Sequence, residues 1–158
     1  LKSAGIQEIK SALKDVTPSR LKELCLLLAK HKTENKELLS YLLFDAENPE
    51  TYIHKVKEQM DVLFQGVNTS NQYYAKKGFR KVLRFVNKQI RFTRDKKTEA
   101  ELLIHYCLMI RRTGVEIKPG SVLENLYLRQ CEKIKSAIDN LHEDTRFDFQ
   151  PSLEALVK

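Results

Sequence analysis

Apolar positions along the chain recur at steps of three and four, and no run of β-branched residues alternates with polar ones. The clearest stripe is Ile53, Val56, Met60, Leu63 and Val67, on a helix opened by Asn48 and Pro49, a cap followed by proline at the first helical position. Thr17 and Pro18 open an earlier helix, over about residues 18–30, by the same logic. Its run Leu24, Cys25, Leu26, Leu27, Leu28 and Ala29 is apolar all round, which predicts burial. A short helix over about residues 6–14 precedes it, and Thr33 stands where it would cap a third that carries Leu38, Leu39, Leu42 and Leu43.

Further along, Thr69 or Ser70 is placed to cap a fifth helix, and Asp95 a sixth that passes through Leu102, Leu103, Tyr106 and Ile110 and ends at Gly114. Ser121-Val122-Leu123-Glu124 reads as a capping box for a helix bearing Leu123, Leu126, Tyr127, Ile134, Ile138 and Leu141. A short last helix is expected near residues 152–157. The connections are short, so consecutive helices should form antiparallel hairpins: second with third, fourth with fifth, sixth with seventh. The pattern predicts an all-α fold, an irregular bundle or short α-α superhelix of about seven to eight helices arranged as antiparallel hairpins. No residue pattern recurs at a fixed period.

Composition narrows the class. A chain of 158 residues is the size of one domain, so a single helical domain over residues 1–158 is expected. With 42% hydrophobic and 31% charged residues, neither disorder nor a membrane protein is indicated, and the longest apolar run covers only residues 24–29. The first ten residues hold no apolar stretch of signal-peptide type, which points to a cytoplasmic protein. Cys25, Cys107 and Cys131 are odd in number and widely spaced, and are expected to be reduced core thiols. The Asn68-Thr69-Ser70 glycosylation sequon would then go unused.

Charge changes the picture most. The stretch QYYAKKGFRKVLRFVNKQIRFTR, residues 72–94, holds eight lysines and arginines and no acid. Between residues 69 and 97 lie ten of the chain's 28 basic residues and only one of its 21 acids, Asp95, so this segment carries the entire excess of positive charge. At about 100° per residue, Arg80, Lys81, Arg84, Lys88 and Arg91 all fall within roughly 60° on either side of Lys77, a stripe about 20 Å long. The opposite face collects Ala75, Phe79, Val82, Leu83, Val86 and Ile90, with Tyr74, Phe85 and Phe92 along one border.

Like charges three and four residues apart each cost roughly 0.2–0.5 kcal/mol, so an anion is expected to offset the stripe. Internal candidates are Glu58 and Asp61 on the preceding helix and Glu99 and Glu101 on the following one. External candidates are a nucleic-acid backbone, an acidic protein or an anionic membrane surface. The membrane ranks last, because the helix must bury its apolar face in the core. Arginine forks across phosphate oxygens, and Tyr73 or Tyr74 is placed to stack on an unpaired base, although tyrosines at a helix start are also common packing residues.

Signals for catalysis are weak. His31, His54, His105 and His142 are scattered, with no HExxH pair, and a di-iron site would need two Glu-x-x-His motifs where only Asp139 and His142 share that spacing. No P-loop, dinucleotide fingerprint or nucleophile elbow occurs. No catalytic residue, metal or cofactor is therefore expected. Val62-Leu63-Phe64-Gln65-Gly66 matches a viral protease recognition sequence but sits on the apolar stripe, which makes the match coincidental.

NTSNQYYAKKGFRKVLRFVNKQIR and SVLENLYLRQCEKI, in this order and at this spacing, resemble a group of small all-helical bacterial proteins to which no activity is assigned. The resemblance covers most of the chain from about Pro18 onward and implies a bacterial, cytoplasmic origin. The expected function is a non-enzymatic helical binding module that engages an anionic partner, nucleic acid or an acidic protein, through Lys77, Arg80, Lys81, Arg84, Lys88 and Arg91 with Tyr73 and Tyr74. The alternative is a protein–protein scaffold or homodimer whose basic face is merely solvated or internally neutralised.

Overall fold

The computed structural model describes residues 2–157. Among them it is all-helical, with no strand and eight helices: α1 (Ile6–Leu13), α2 (Pro18–His31), α3 (Thr33–Phe44), α4 (Pro49–Gln65), α5 (Gln72–Thr93), α6 (Lys96–Arg112), α7 (Val122–Asp139) and α8 (Glu143–Val157). The helices fall into two compact units, α1–α3 and α4–α8, divided between Asp45 and Ala46.

In the first unit α2 starts where the Thr17 hydroxyl accepts the Arg20 N–H at 3.3 Å, and it packs on α3. The Asn35 side chain ties the pair by donating to the Leu28 carbonyl at 2.8 Å. The expected burial of α2 is not found: none of its residues is buried, and Leu26, Leu27 and Leu28 are exposed. A helix apolar all round needs neighbours on every side, and in this unit it packs chiefly on one. Thr33 is not the cap of α3 but its first helical residue, with extended Lys32 in the capping place.

In the second unit α6 is central and packs against α4, α5, α7 and α8. Its buried residues explain that position, since Ala100, Leu102, Leu103, Ile104, Tyr106, Cys107 and Ile110 point in more than one direction. Asn48 and Asp95 cap α4 and α6 as the sequence predicts, accepting from the Thr51 and Thr98 N–H groups at 3.2 and 2.7 Å. The cap of α5, by contrast, is Asn71, which accepts from the Tyr74 N–H at 3.0 Å. Thr69 and Ser70 lie in the turn before it, where the Ser70 N–H donates to the Asn68 side chain at 2.9 Å.

At the start of α7 the Ser121 hydroxyl accepts from the Glu124 N–H at 3.0 Å, while the Glu124 carboxylate reaches one residue further back to the Gly120 N–H at 2.6 Å. The last helix is more than twice as long as expected, because Pro151 lies inside α8 instead of before it. Proline costs a helix one backbone bond and some crowding, and here packing on α6 and α7 holds the element together.

Gly78 marks a close approach between α5 and the connection before it. A Cβ there would stand 2.5 Å from Val67 Cγ1 and 3.2 Å from Val67 Cβ, so the whole side chain, and not just its tip, would have to move. Gly78→Ala should therefore destabilise by about 1 kcal/mol net, because overpacking outweighs the roughly 1 kcal/mol gain in helix propensity. A lower urea midpoint checks it; an unchanged or higher midpoint would show that Val67 yields easily.

Candidate anionic-partner surface

The face of α5 that carries the stripe is set by what the opposite face buries. Ala75, Phe79, Val82, Val86, Gln89 and Phe92 are buried against the rest of the second unit, while Leu83, Phe85 and Ile90 are half-buried. Two interactions fix the helix's rotation. The Tyr106 hydroxyl donates to the Phe79 carbonyl at 2.9 Å, and the Tyr52 hydroxyl donates to Gln89 Oε1 at 2.7 Å. Gln89 escapes a reading by hydrophobicity because a glutamine looks like a surface residue; a polar residue at the 3-4 spacing of the apolar face (82, 86, 89) is the signal that would have found it.

With that rotation, Lys77, Arg80, Lys81, Arg84 and Arg91 are exposed and Lys88 is half-buried. Among the described residues Lys77, Arg80, Lys81 and Arg84 have no acidic partner within the chain, whereas Lys88 and Arg91 are engaged. The four acids expected as internal neutralisers are committed elsewhere. Glu58 faces His54 at 3.4 Å, Asp61 lies 2.6 Å from His105, Glu99 binds Lys96 at 2.7 Å, and Glu101 binds Lys57 at 3.0 Å. The uncompensated stretch is thus the first half of the stripe, about 10 Å long from Lys77 to Arg84.

Tyr73 and Tyr74 stand at the same end of α5. They are not packing residues: Tyr73 is 63% exposed and Tyr74 47%, and their rings meet edge-on with centroids 5.4 Å apart. The Lys76 ammonium lies 5.6 Å from the Tyr73 ring centroid, a cation–π contact that brings a further positive charge to the aromatic pair. The Gln72 side chain pins this end by donating to the Glu116 carbonyl at 3.0 Å.

Other chemistry is sparse. No group of three or more His, Cys, Asp or Glu side chains among the described residues is arranged to hold a metal ion. No helix among them is long and apolar enough to cross a membrane. Cys107 is buried as expected, but Cys25 and Cys131 are only half-buried. Comparison with protein-family models, curated proteins and solved structures finds no match to the chain.

Proposed function

We propose that the protein is a non-enzymatic helical module that engages the phosphate backbone of nucleic acid through α5. The observation that carries this reading is the exposed set Lys77, Arg80, Lys81 and Arg84, left without carboxylate partners among the described residues while the four acids expected to neutralise them lie against His54, His105, Lys96 and Lys57. Four like charges held within about 10 Å gain most from an external polyanion, and phosphates at short intervals supply one. The exposed tyrosine pair beside them favours an unpaired strand over a duplex, since exposed aromatic rings can stack on an unpaired base.

The test is salt dependence. With four phosphates neutralised, log affinity should fall against log salt with a slope of about −3 for a single strand and about −3.5 for a duplex. Fluorescence anisotropy with labelled oligonucleotides between 50 and 200 mM salt, about a fourfold range, reads it directly. A slope flatter than about −1 would remove the reading.

A second reading rests on the first unit, where Leu27, Leu28, Leu42, Leu43 and Phe44 are all exposed. Apolar surface of that kind suits a protein partner or a second copy of the chain. Light scattering over the same salt series separates the two readings, because association through leucines would persist at high salt.

A further inference from the structure

The last turn of α6, one face of α7 and the end of α8 line a cavity of about 420 Å³ to which no residue of the basic stripe contributes. That volume falls within the range of small-molecule sites. α7 supplies Glu124, Tyr127, Leu128, Cys131 and Lys135, which at about 100° per residue all fall within roughly 60° on either side of Glu124. Arg111 enters from α6, Leu153 and Leu156 from α8, and Ile117 from the connection between α6 and α7.

Two polar side chains of the lining hold α8 in place. The Arg111 guanidinium donates to the Ala155 carbonyl at 2.7 Å and the Tyr127 hydroxyl to the Leu156 carbonyl at 3.1 Å, which satisfies carbonyls that a helix end leaves without intrahelical partners. Arg111 spends a single N–H there, so the rest of its fork stays available to an anion. Glu124, the acid of the lining, is turned to the Gly120 N–H at 2.6 Å. Among the described residues neither Arg111 nor Lys135 forms an ion pair.

Charge and burial together specify a ligand class. The lining sets two cations against one acid, a balance that suits a monoanion better than a phosphate dianion. Arg111 and Lys135 are exposed and mark the mouth, whereas Leu156 is buried and Ile117 and Leu153 are half-buried. A carboxylate can take two parallel hydrogen bonds from a guanidinium, and a hydrocarbon chain behind it would cover the apolar wall.

We propose that the cavity binds an aliphatic monocarboxylate, its carboxylate at Arg111 and Lys135 and its chain against Ile117, Leu128, Leu153 and Leu156. Isothermal titration calorimetry on the full chain, at constant ionic strength and with sodium octanoate below micelle formation, tests it. Octanoate should bind saturably and at least about tenfold tighter than butyrate, because each buried methylene is worth about fourfold. It should also bind about tenfold tighter than 1-octanol, which lacks the charge. Arg111→Met also cuts the tie to α8, so the deciding variant is Lys135→Met, which has no ion pair to lose and should weaken octanoate about fivefold. Absence of octanoate binding, equal affinity for octanol, or full affinity in Lys135→Met overturns the proposal.

The lining thiol locates the bound chain. Octanoate should slow alkylation of half-buried Cys131 by iodoacetamide while leaving Cys25, half-buried beside Leu28, Leu38 and Leu42 of the first unit, at its unliganded rate. Equal protection of the two would mean adsorption to exposed leucines instead of a site, and would equally overturn it.

Discussion

Reversing Arg80 and Arg84 together to glutamate should lower affinity for a single-stranded oligonucleotide about a hundredfold or more at low salt, without unfolding the protein. Each arginine is exposed, lies on the uncompensated part of the stripe, and has no carboxylate partner among the described residues. Hydrogen bonds to charged groups contribute about 1.5–3 kcal/mol each, and every 1.4 kcal/mol is a factor of ten, so losing two such contacts suffices before new repulsion is counted. Stability should move the other way. In the single variant Arg84→Glu, the pairs with Arg80 and Lys81 change from like to opposite charge, which is expected to raise stability by about 1 kcal/mol at low salt. Binding by anisotropy and unfolding by urea, measured on the same samples, check both halves. Unchanged binding in the double variant would leave the stripe as an ordinary solvated face. Loss of binding with loss of stability would mean that the charges support the fold.

The largest stability loss is expected at Tyr106. Its side chain is wholly buried in the central helix, its ring centroid lies 5.7 Å from that of Phe64 on α4, and Phe64 in turn lies 5.8 Å from Phe79 on α5. The three rings join α4, α5 and α6 at one level. Burial also pushes the Tyr106 phenol well above its ordinary range, so the hydroxyl stays protonated and able to donate to the Phe79 carbonyl. Tyr106→Ala should cost about 3–5 kcal/mol, as large aromatic truncations in cores do, and lower the melting temperature by about 10–15 °C. Tyr106→Phe keeps the ring and loses one hydrogen bond, so about 1 kcal/mol is expected. Equal losses for the two variants would place the energy in the hydroxyl and not in the packing of the rings. Because the same cluster sets the rotation of α5, Tyr106→Ala should also weaken binding at the stripe, whereas Arg84→Glu should leave the core untouched.

Much of the architecture was legible because its causes are local. Caps at Thr17, Asn48, Asp95 and Ser121 and the 3-4 spacing of apolar residues in α4 to α7 are properties of neighbours along the chain, and they fix where helices begin and which side they bury. Local rules missed where two signals competed. Asn71 outranked Thr69 and Ser70 as a cap because Asn68 had already drawn the backbone into a turn, and Pro151 sits inside α8 because packing compensated a cost that sequence rules treat as a stop.

The sequence by itself determined that the chain is all-helical, that its excess charge lies on α5, and that six of those cations share one face, because helix periodicity is an intrachain property. Only the tertiary structure decided which cations are left uncompensated, since carboxylates from other helices must be located in space before they can be excluded. Tertiary packing likewise decided that α2 keeps its leucines exposed and that Gln89 is buried under Tyr52. Each of these depends on how many helices surround a given face, which no spacing within one helix encodes.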